Sequence, residues 1–375
     1  MDFNSLLKVM VKKQASDLFI TADLPPSIKV HGRIAPVSSA RLTQEQTREL
    51  TLSLMSPEQR EEFMATKECN FAIGARGVGR FRVSAFVQRD SVGMVLRRIE
   101  TIIPTLEELK LPPVIRQVAM EKRGLVLFVG ATGTGKSTSL AAMIGHRNRQ
   151  DSGHIISVED PIEFMHSHQG CIVTQREVGI DTESYEVALK NTLRQAPDVI
   201  LIGEVRTRET MEYAIAFAET GHLCLTTLHA NNANQALDRI INFFPEDRRG
   251  QLLMDLSLNL KAIVAQQLVR RPDGNGRRAV VEVMLNTPLA ADFIRKGEVH
   301  KLKDLMKRST EHGMLTFDQA LYDLYREGEI TEEDALRHAD SANEVRLMIK
   351  LGASSDASYY ADRVGDVSLV DTGDH

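Results

Sequence analysis

Eight residues in the first half of the chain form a complete phosphate-binding motif. They run Gly130-Ala-Thr-Gly-Thr-Gly-Lys-Ser137 and fit the pattern GxxxxGK[ST]. The apolar run 125–129 precedes the motif, and the helix-prone segment 138–144 follows it. This strand-loop-helix context is the one in which the pattern binds nucleotide phosphates, and it argues against a chance glycine-rich turn.

The residues of this motif have distinct predicted roles. Backbone N–H groups of the loop and the helix N-terminus would surround phosphate oxygens of ATP. Lys136 should reach the β and γ phosphates, and Ser137 should bind Mg²⁺. The predicted nucleotide-binding residues are Gly130, Gly133, Thr134, Gly135, Lys136, Ser137 and Thr138.

Phosphoryl transfer to water also needs carboxylates, and a first acidic group follows the apolar run 155–158. It contains Glu159, Asp160 and Glu163. Because the carboxyl ends of parallel strands line the ligand crevice of an α/β sheet, this group can face the phosphates. The alternative for Glu159 and Asp160 is a structural role, in which they cap the turn that follows.

A second acidic site follows the apolar run 199–202. Here Gly203-Glu204 stands where many P-loop enzymes have Asp-Glu, as at the end of a Walker B strand. Glu204 is therefore a candidate acid of the site and, with Ser137, a candidate Mg²⁺ ligand. The alternative is a strand-end charge that forms an ion pair with Arg206.

Two histidines and two arginines complete the set of candidates. His222 and His229 flank the apolar run 223–227, from which they could sense the γ-phosphate or bridge to a neighbouring subunit, although a lone histidine is more often structural. Arg82 and Arg97 lie on neighbouring predicted strands near the N-terminus. An arginine from another domain or subunit can stabilise transition-state charge; the alternative is a solvated charge on a strand face.

The composition is that of an ordinary soluble protein. The chain has 375 residues, 42% hydrophobic and 26% charged, with a net charge of −5. The acidic balance gives no overall positive field for nucleic acid, so no nucleic-acid partner is expected. The three scattered cysteines fit a reducing cytoplasm. No apolar run approaches the ~20 residues of a spanning helix, and the N-terminus does not resemble a secretory signal.

The texture of the chain predicts an α/β protein with two domains. A mixed α/β N-terminal domain leads through the proline-marked connection Pro104 to Pro113 into alternating helices and short apolar runs, which indicate a parallel sheet covered by helices. The last part is helical and charged, and it ends in a tail rich in Ser and Asp. The predicted boundaries are 1–100 for the N-terminal domain, 101–113 for the linker, 114–285 for the ATPase core, 286–352 for the helical region and 353–375 for a flexible tail.

Taken together, the motifs resemble those of the bacterial type II/type IV secretion ATPases, in particular the type IV pilus retraction branch. The resemblance spans about residues 3–350. The segments that carry it are GATGTGKST, ISVEDPIEF, TQREVG, LRQAPDVILIGEVR, AETGHLCLTTLHA and RIINFFP.

The resemblance implies a role for each matching residue. Residues 155–163, 198–206 and 220–231 would be the family's Asp box, Walker B segment and His box. Glu163 would then be the general base and Glu204 the Walker B acid. The His-box histidines would be His222 and His229, and the arginines that the N-terminal domain offers to the nucleotide would be Arg82 and Arg97.

The resemblance also implies a fold and an assembly. A PAS-like N-terminal domain would join flexibly to a RecA-like P-loop NTPase domain with a helical C-terminal region. Six chains would form a ring, with each N-terminal domain on the next subunit. ATP-driven closure would act on the pilus platform protein of the inner membrane, so the protein would be cytoplasmic and peripherally associated with the pilus machine.

Two departures point to the accessory retraction paralogue rather than the principal retraction ATPase. They are the stretch 289–308, which differs from the principal type, and the Ser/Asp tail. The partner would then be the paralogous retraction ATPase. The assembly ATPases of the family have a longer N-terminal region and a four-cysteine zinc site, which this sequence lacks.

Two other functions compete with this interpretation. A DNA-translocating ring ATPase shares the phosphate loop, but we find no basic pore loop or DNA-reading module. A weakly hydrolytic or non-hydrolytic nucleotide-binding regulator of the paralogous motor is the second; the intact Lys136, Glu163 and Glu204 argue against it.

Overall fold

A computed structural model describes residues 3–30, 33–274 and 276–355. The chain divides into two compact units. Unit 1 comprises residues 1–103 and 152–196, and unit 2 comprises residues 104–151 and 197–375. The break near residue 103 lies inside the predicted linker. Residues 152–196, which the sequence assigns to the ATPase core, cluster with residues 1–103 by contacts, and the predicted boundaries of the core stay a prediction.

In chain order, the N-terminal elements are α1 (Phe3–Lys12), β1 (Asp17–Ile20), β2 (Ser27–Val30), β3 (Arg33–Pro36), α2 (Gln44–Ser53), α3 (Pro57–Thr66), β4 (Glu68–Ala75), β5 (Gly79–Gln88) and β6 (Ser91–Arg98). The next segment forms α4 (Val114–Ala119), β7 (Gly124–Val129) and α5 (Lys136–Gln150). It is followed by β8 (His154–Glu159), β9 (Ile172–Glu177), α6 (Tyr185–Thr192) and a 3₁₀ helix (Leu193–Gln195).

The remaining elements are β10 (Val199–Ile202), α7 (Arg208–Glu219), β11 (Leu223–Leu228), α8 (Ala233–Phe243), α9 (Glu246–Asn259), β12 (Leu260–Arg270), β13 (Arg277–Leu285), α10 (Pro288–Arg295), α11 (Leu302–Arg308), α12 (Phe317–Arg326), α13 (Glu332–His338) and α14 (Ala342–Ser355). Short 3₁₀ helices cover Val299–Lys301 and Thr310–His312. None of the helices in the described ranges is long and apolar enough to cross a membrane. The predicted tail from residue 356 onward lies outside the described residues.

Unit 1 contains an antiparallel sheet in the order β3-β2-β1-β6-β5-β4. Alternation along β5 buries Phe81 and Val83 in the core, whereas Arg82 faces away from it, as the period-two pattern predicts. Helix α2 packs on β6 and α3 on β4. Both helices begin with a capping box, formed by Thr43 with Gln46 and by Ser56 with Gln59, which this spacing of residues predicts. The strands β8 and β9 add a parallel pair to this unit.

In unit 2 the strands pair in the order β13-β12-β7-β11-β10. The pairs β12–β7, β7–β11 and β11–β10 are parallel, and β13 is antiparallel to β12. Every residue of β7, β10 and β11 is buried, because helices cover the sheet: α5 packs on β7, α7 packs on β7 and β11, and α8 packs on β12 and β13. The predicted parallel sheet with covering helices is thus present. The carboxyl ends of β7, β10 and β11 lie on the same side of this sheet.

Candidate active site

The phosphate loop joins β7 to α5 in unit 2. Gly130, Gly133 and Gly135 have φ values of 154°, 78° and 86°, in the region that favours glycine. A Cβ on Gly130 would lie 2.6 Å from the backbone oxygen of Gln266, and one on Gly135 would lie 2.7 Å from the Nε2 of Gln266. The loop therefore has its required shape only with glycine at both positions.

Lys136 begins α5 and is buried, with 8% of its surface exposed. Its Nζ donates hydrogen bonds of 2.8 Å to the carbonyl oxygens of Gly130 and Ala131. Burial lowers the pKa of Lys136, and the negative charge of Glu204 acts in the opposite direction. The structure thus holds the ammonium group at the centre of the loop, where the motif predicts phosphate oxygens.

Glu204 follows β10 and its side chain is 11% exposed. The Oε2 of Glu204 lies 3.2 Å from the Nε2 of His229, and Arg206 forms an ion pair with Oε1. The ion pair that we weighed as the alternative role is therefore present, together with a contact that the alternative did not include. Because β7, β10 and β11 run parallel and in register, Glu204, His229 and the phosphate loop follow the same ends of neighbouring strands.

The oxygen donors at this edge suit a hard cation. Ser137 follows Lys136 on the first turn of α5 with an exposed hydroxyl, and Glu204 supplies a carboxylate. Mg²⁺ binds through one or two protein oxygens together with phosphate oxygens and water, so these two side chains fit the ion. When bound, Mg²⁺ would neutralise developing negative charge on the phosphates.

His222 lies at the other end of β11. Its carbonyl accepts a hydrogen bond from the N–H of Gly124, the first residue of β7, and its Nδ1 lies 3.1 Å from the Oγ1 of Thr220. The six residues of β11 separate it from His229 by roughly 20 Å. The structure therefore brings His229, but not His222, to the phosphate-loop end of the strand. A role for His222 at a nucleotide would need a neighbouring subunit, and it stays a prediction.

The two predicted arginines lie in unit 1. Arg82 on β5 stands directly opposite Arg97 on β6 in the sheet register. The Nε of Arg82 lies 3.0 Å from the Oε1 of Glu177, which is buried. The Nε of Arg97 donates a 2.9 Å hydrogen bond to Asp17, also buried. Each arginine is thus held at its Nε by a buried carboxylate, and the side chain of Arg97 is still 64% exposed.

Glu163 and Glu159 also belong to unit 1. Glu163 is exposed on the loop that follows β8. Glu159 at the end of β8 accepts hydrogen bonds from Ser157 at 2.6 Å and from Gln175 at 3.2 Å. Burial raises the pKa of Glu159 to about 7; the negative charges of Glu163 and Glu177 act in the same direction, and the two hydrogen bonds oppose it. Neither hydrogen bond comes from the turn that follows β8, so the capping role of Glu159 and Asp160 stays a prediction, and Glu163 is the exposed carboxylate of this pair.

A cavity of about 730 Å³ lies within unit 1 on the face of the sheet that carries the arginines. Its charged lining consists of Arg82 and Arg97 together with five acidic residues, Asp17, Glu62, Glu68, Asp160 and Glu177. The cavity combines two guanidinium groups with acidic partners, which keeps the arginines extended and oriented.

Sequence reasoning missed three residues that this geometry uses. Asp17 and Glu177 hold the arginines, and Gln266 contacts the phosphate loop. Each has a weak signal in the sequence: Asp17 begins an otherwise apolar strand, Glu177 lies in the TQREVG segment, and Gln266 interrupts the apolar run 262–265 with a polar side chain. A buried polar residue in an apolar strand usually has a specific hydrogen-bond partner.

The fold and the phosphate loop define this chain as a P-loop nucleotide-binding protein with a RecA-like sheet. The model of the Type II/IV secretion system protein family matches residues 3–343. The chain belongs to this family.

Similarity to individual proteins extends over nearly the whole chain. It is 72% identical over 374 residues to the Type IV pilus ATPase PilU of Pseudomonas aeruginosa, which covers 100% of this chain and 98% of that protein. It is 39% identical to the Type IV pilus retractation ATPase PilT of the same organism, over 90% of this chain and 98% of that one.

A solved structure shows the same architecture. The crystal structure of the pilus retraction motor PilT with bound ADP matches with a TM-score of 0.85 at 39% identity, over 91% of this chain and 98% of that chain. The predicted fold class and the predicted resemblance to the type IV pilus retraction ATPases are confirmed, and the chain is more similar to PilU than to PilT.

Proposed function

We propose that this protein is an ATP-hydrolysing motor of the type IV pilus, which powers pilus retraction as a hexamer together with its paralogous retraction ATPase. One observation supports the proposal most directly. In unit 2 the phosphate loop with its buried Lys136, and the contacting pair Glu204 and His229, follow the same ends of neighbouring strands. The similarity to PilU and PilT, named as pilus ATPases, supports the biological setting.

The proposed reaction is hydrolysis of ATP to ADP and phosphate. A water oxygen attacks the γ-phosphorus, the bond from that phosphorus to the β–γ bridging oxygen breaks, and Glu163 accepts the proton of the water. Lys136 and the loop N–H groups stabilise negative charge on the phosphates, and Ser137 and Glu204 would hold Mg²⁺. The 3.2 Å contact with Glu204 would orient His229 at the same strand ends as the phosphate loop.

Arg82 and Arg97 would supply positive charge to the transition state. In P-loop enzymes an arginine of this kind accelerates hydrolysis by about 10³ to 10⁵. Ion pairs with Glu177 and Asp17 already restrict both guanidinium groups. This restriction reduces the entropy that the two side chains lose when they bind a phosphate. We infer that hydrolysis depends on assembly of the ring, in which a cytoplasmic hexamer contacts the inner-membrane platform protein.

The first experiment measures ATP hydrolysis and solution mass of the purified protein, alone and then mixed with the principal retraction ATPase. Hexamers that hydrolyse ATP alone indicate an autonomous motor. No turnover alone, but turnover in the mixture above that of the principal ATPase by itself, indicates an accessory motor. Lys136→Ala is the control in both arms, because it removes the ammonium group that binds the phosphates.

The same experiment tests the competing function. If wild type and Lys136→Ala give the same turnover in each arm, and the mixture does not exceed the principal ATPase alone, but wild type binds ATP, the protein is a nucleotide-binding regulator of the paralogue. If neither binds ATP, the proposal of a nucleotide site is wrong.

A further inference from the structure

A buried glutamine lies beside the phosphate loop in unit 2. Gln266 on β12 is 2% exposed, and the residues before it, 262–265, are apolar and buried. An amide in such surroundings is destabilising unless its donors and acceptor are satisfied.

The amide is satisfied by two parts of the phosphate-loop segment. The Nε2 of Gln266 donates a 2.8 Å hydrogen bond to the carbonyl oxygen of Thr134. The Oε1 accepts a 2.7 Å hydrogen bond from the hydroxyl of Ser139 on α5. A carbonyl oxygen can only accept, so the NH₂ group must face Thr134 and the orientation of the amide is fixed.

Gln266 also fits the loop closely. Its Nε2 occupies the space that a side chain on Gly135 would need, and its backbone oxygen does the same at Gly130. The loop tip at residues 131–133 is exposed, whereas Thr134 in the second half of the loop is bonded to this glutamine from outside the loop. Strand β12 thereby joins the end of the loop to the first turn of α5.

We propose that Gln266 is a positioning residue that holds the phosphate loop in its nucleotide-binding conformation by tying Thr134 to Ser139. The inference rests on the proposed nucleotide-binding function. In this proposal Gln266 does not contact the phosphates. The N–H groups of residues 134–136 must point inward together to bind an anion, and the amide of Gln266 fixes the peptide group between Thr134 and Gly135.

The test compares binding of ADP with Mg²⁺ to wild type, Gln266→Leu and Gln266→Glu by calorimetry, with the melting temperature of each protein measured without nucleotide. Gln266→Leu leaves the carbonyl of Thr134 without its donor, and we expect a loss of ADP affinity of about 10- to 100-fold. The matched control is Gln117→Leu, the same change at an exposed position of unit 2, which should bind ADP like wild type.

Gln266→Glu separates positioning from general packing. An ionised carboxylate cannot donate to Thr134, whereas a protonated carboxyl group has one O–H donor and one acceptor and can replace both bonds of the amide. The affinity of this variant for ADP, relative to wild type at the same pH, should therefore rise as the pH falls. Gln266→Leu, which has no titratable group, should show no such recovery.

The outcomes are distinct. If wild type binds no ADP, the proposed nucleotide site itself fails. If wild type binds and Gln266→Leu binds equally well, or Gln266→Glu shows no recovery at low pH, the positioning role is overturned and the proposed function stands. Should Gln266→Leu not fold, the pH-dependent affinity of Gln266→Glu decides alone.

Discussion

Replacing Glu282 by Gln should change the pH dependence of stability. Glu282 on β13 is 2% exposed and accepts a 2.8 Å hydrogen bond from the N–H of Ala233, the first residue of α8. Burial raises its pKa to about 7, and the charge of Asp340 adds to the effect; the Ala233 N–H and Lys303 oppose it. This carboxylate supports the helix that follows the His229 loop.

The sign follows from the direction of the pKa change. In the unfolded chain Glu282 releases its proton near the ordinary value of 4.5, whereas in the folded protein it keeps the proton until about pH 7. The free energy of unfolding that this group contributes is therefore fully present below pH 4.5 and is lost as the pH rises through 7. At about 1.4 kcal/mol per pH unit, the loss amounts to about 3 kcal/mol.

Glu282→Gln removes this titration and keeps an oxygen for Ala233. Compared with the protonated carboxyl group, the amide has a second donor that the buried site must satisfy, at a cost of about 1 kcal/mol. We therefore expect the variant to be about 1 kcal/mol less stable than wild type at pH 4.5 and about 2 kcal/mol more stable at pH 8.

Urea unfolding of both proteins from pH 4.5 to 8 measures this difference. The titration of Glu159, whose pKa is also raised to about 7, affects both proteins alike and cancels in the comparison. A difference between variant and wild type that is constant across this range would show that Glu282 does not titrate as the structure indicates.

Three further perturbations test the site. Glu177→Gln removes the buried charge beside Arg82 and should cost about 1.5 to 3 kcal/mol of stability; a double-mutant cycle with Arg82→Ala that finds no coupling would contradict the pairing. Gly135→Ala, at φ 86°, should abolish the melting-temperature shift that ADP with Mg²⁺ gives to wild type, and a preserved shift would show that the loop tolerates a side chain. Arg97→Ala should still bind ATP but hydrolyse it at least about 10³-fold more slowly; wild-type turnover would exclude this arginine from catalysis, and Asp17→Asn, which only loosens the guanidinium, should lose less.

Local chemistry explains which elements the sequence could predict. The phosphate loop, the capping boxes at Thr43 and Ser56, and the alternation along β5 all depend on residues a few positions apart, and the structure has each of them. The apolar runs of β7, β10 and β11 were likewise recognisable because both faces of these strands are buried.

Strands β12 and β9 could not be predicted from the sequence, for physical reasons. Helix α9 ends at Asn259 and β12 begins at Leu260, so no Gly or Pro separates helix from strand, and Gln266 and Gln267 then break the apolar pattern. Strand β9 is only partly buried and mostly polar, which resembles a loop in sequence.

Long-range pairing limited the prediction of the site. Arg97 and its partner Asp17 are 80 residues apart, and nothing local in either segment specifies the other. The sequence placed His222 and His229 at the two ends of one strand, but not which of these ends meets the phosphate loop. Because β11 pairs parallel with β7, His229 lies at the phosphate-loop end of β11 and His222 lies at the opposite end.

The discontinuous path of unit 1 has a consequence for biosynthesis. The hydrophobic core of its antiparallel sheet is complete by Leu96, so it can collapse while the rest of the chain is still on the ribosome. Glu177 is translated roughly 95 residues after Arg82, which at about 5 to 20 residues per second is a delay of roughly 5 to 20 seconds. During that interval the guanidinium stays in water. A fragment that ends at residue 103 would lack residues 152–196 and so would repeat this nascent state. Because unit 1 consists of two separate segments of the chain, a single truncation cannot separate the two units.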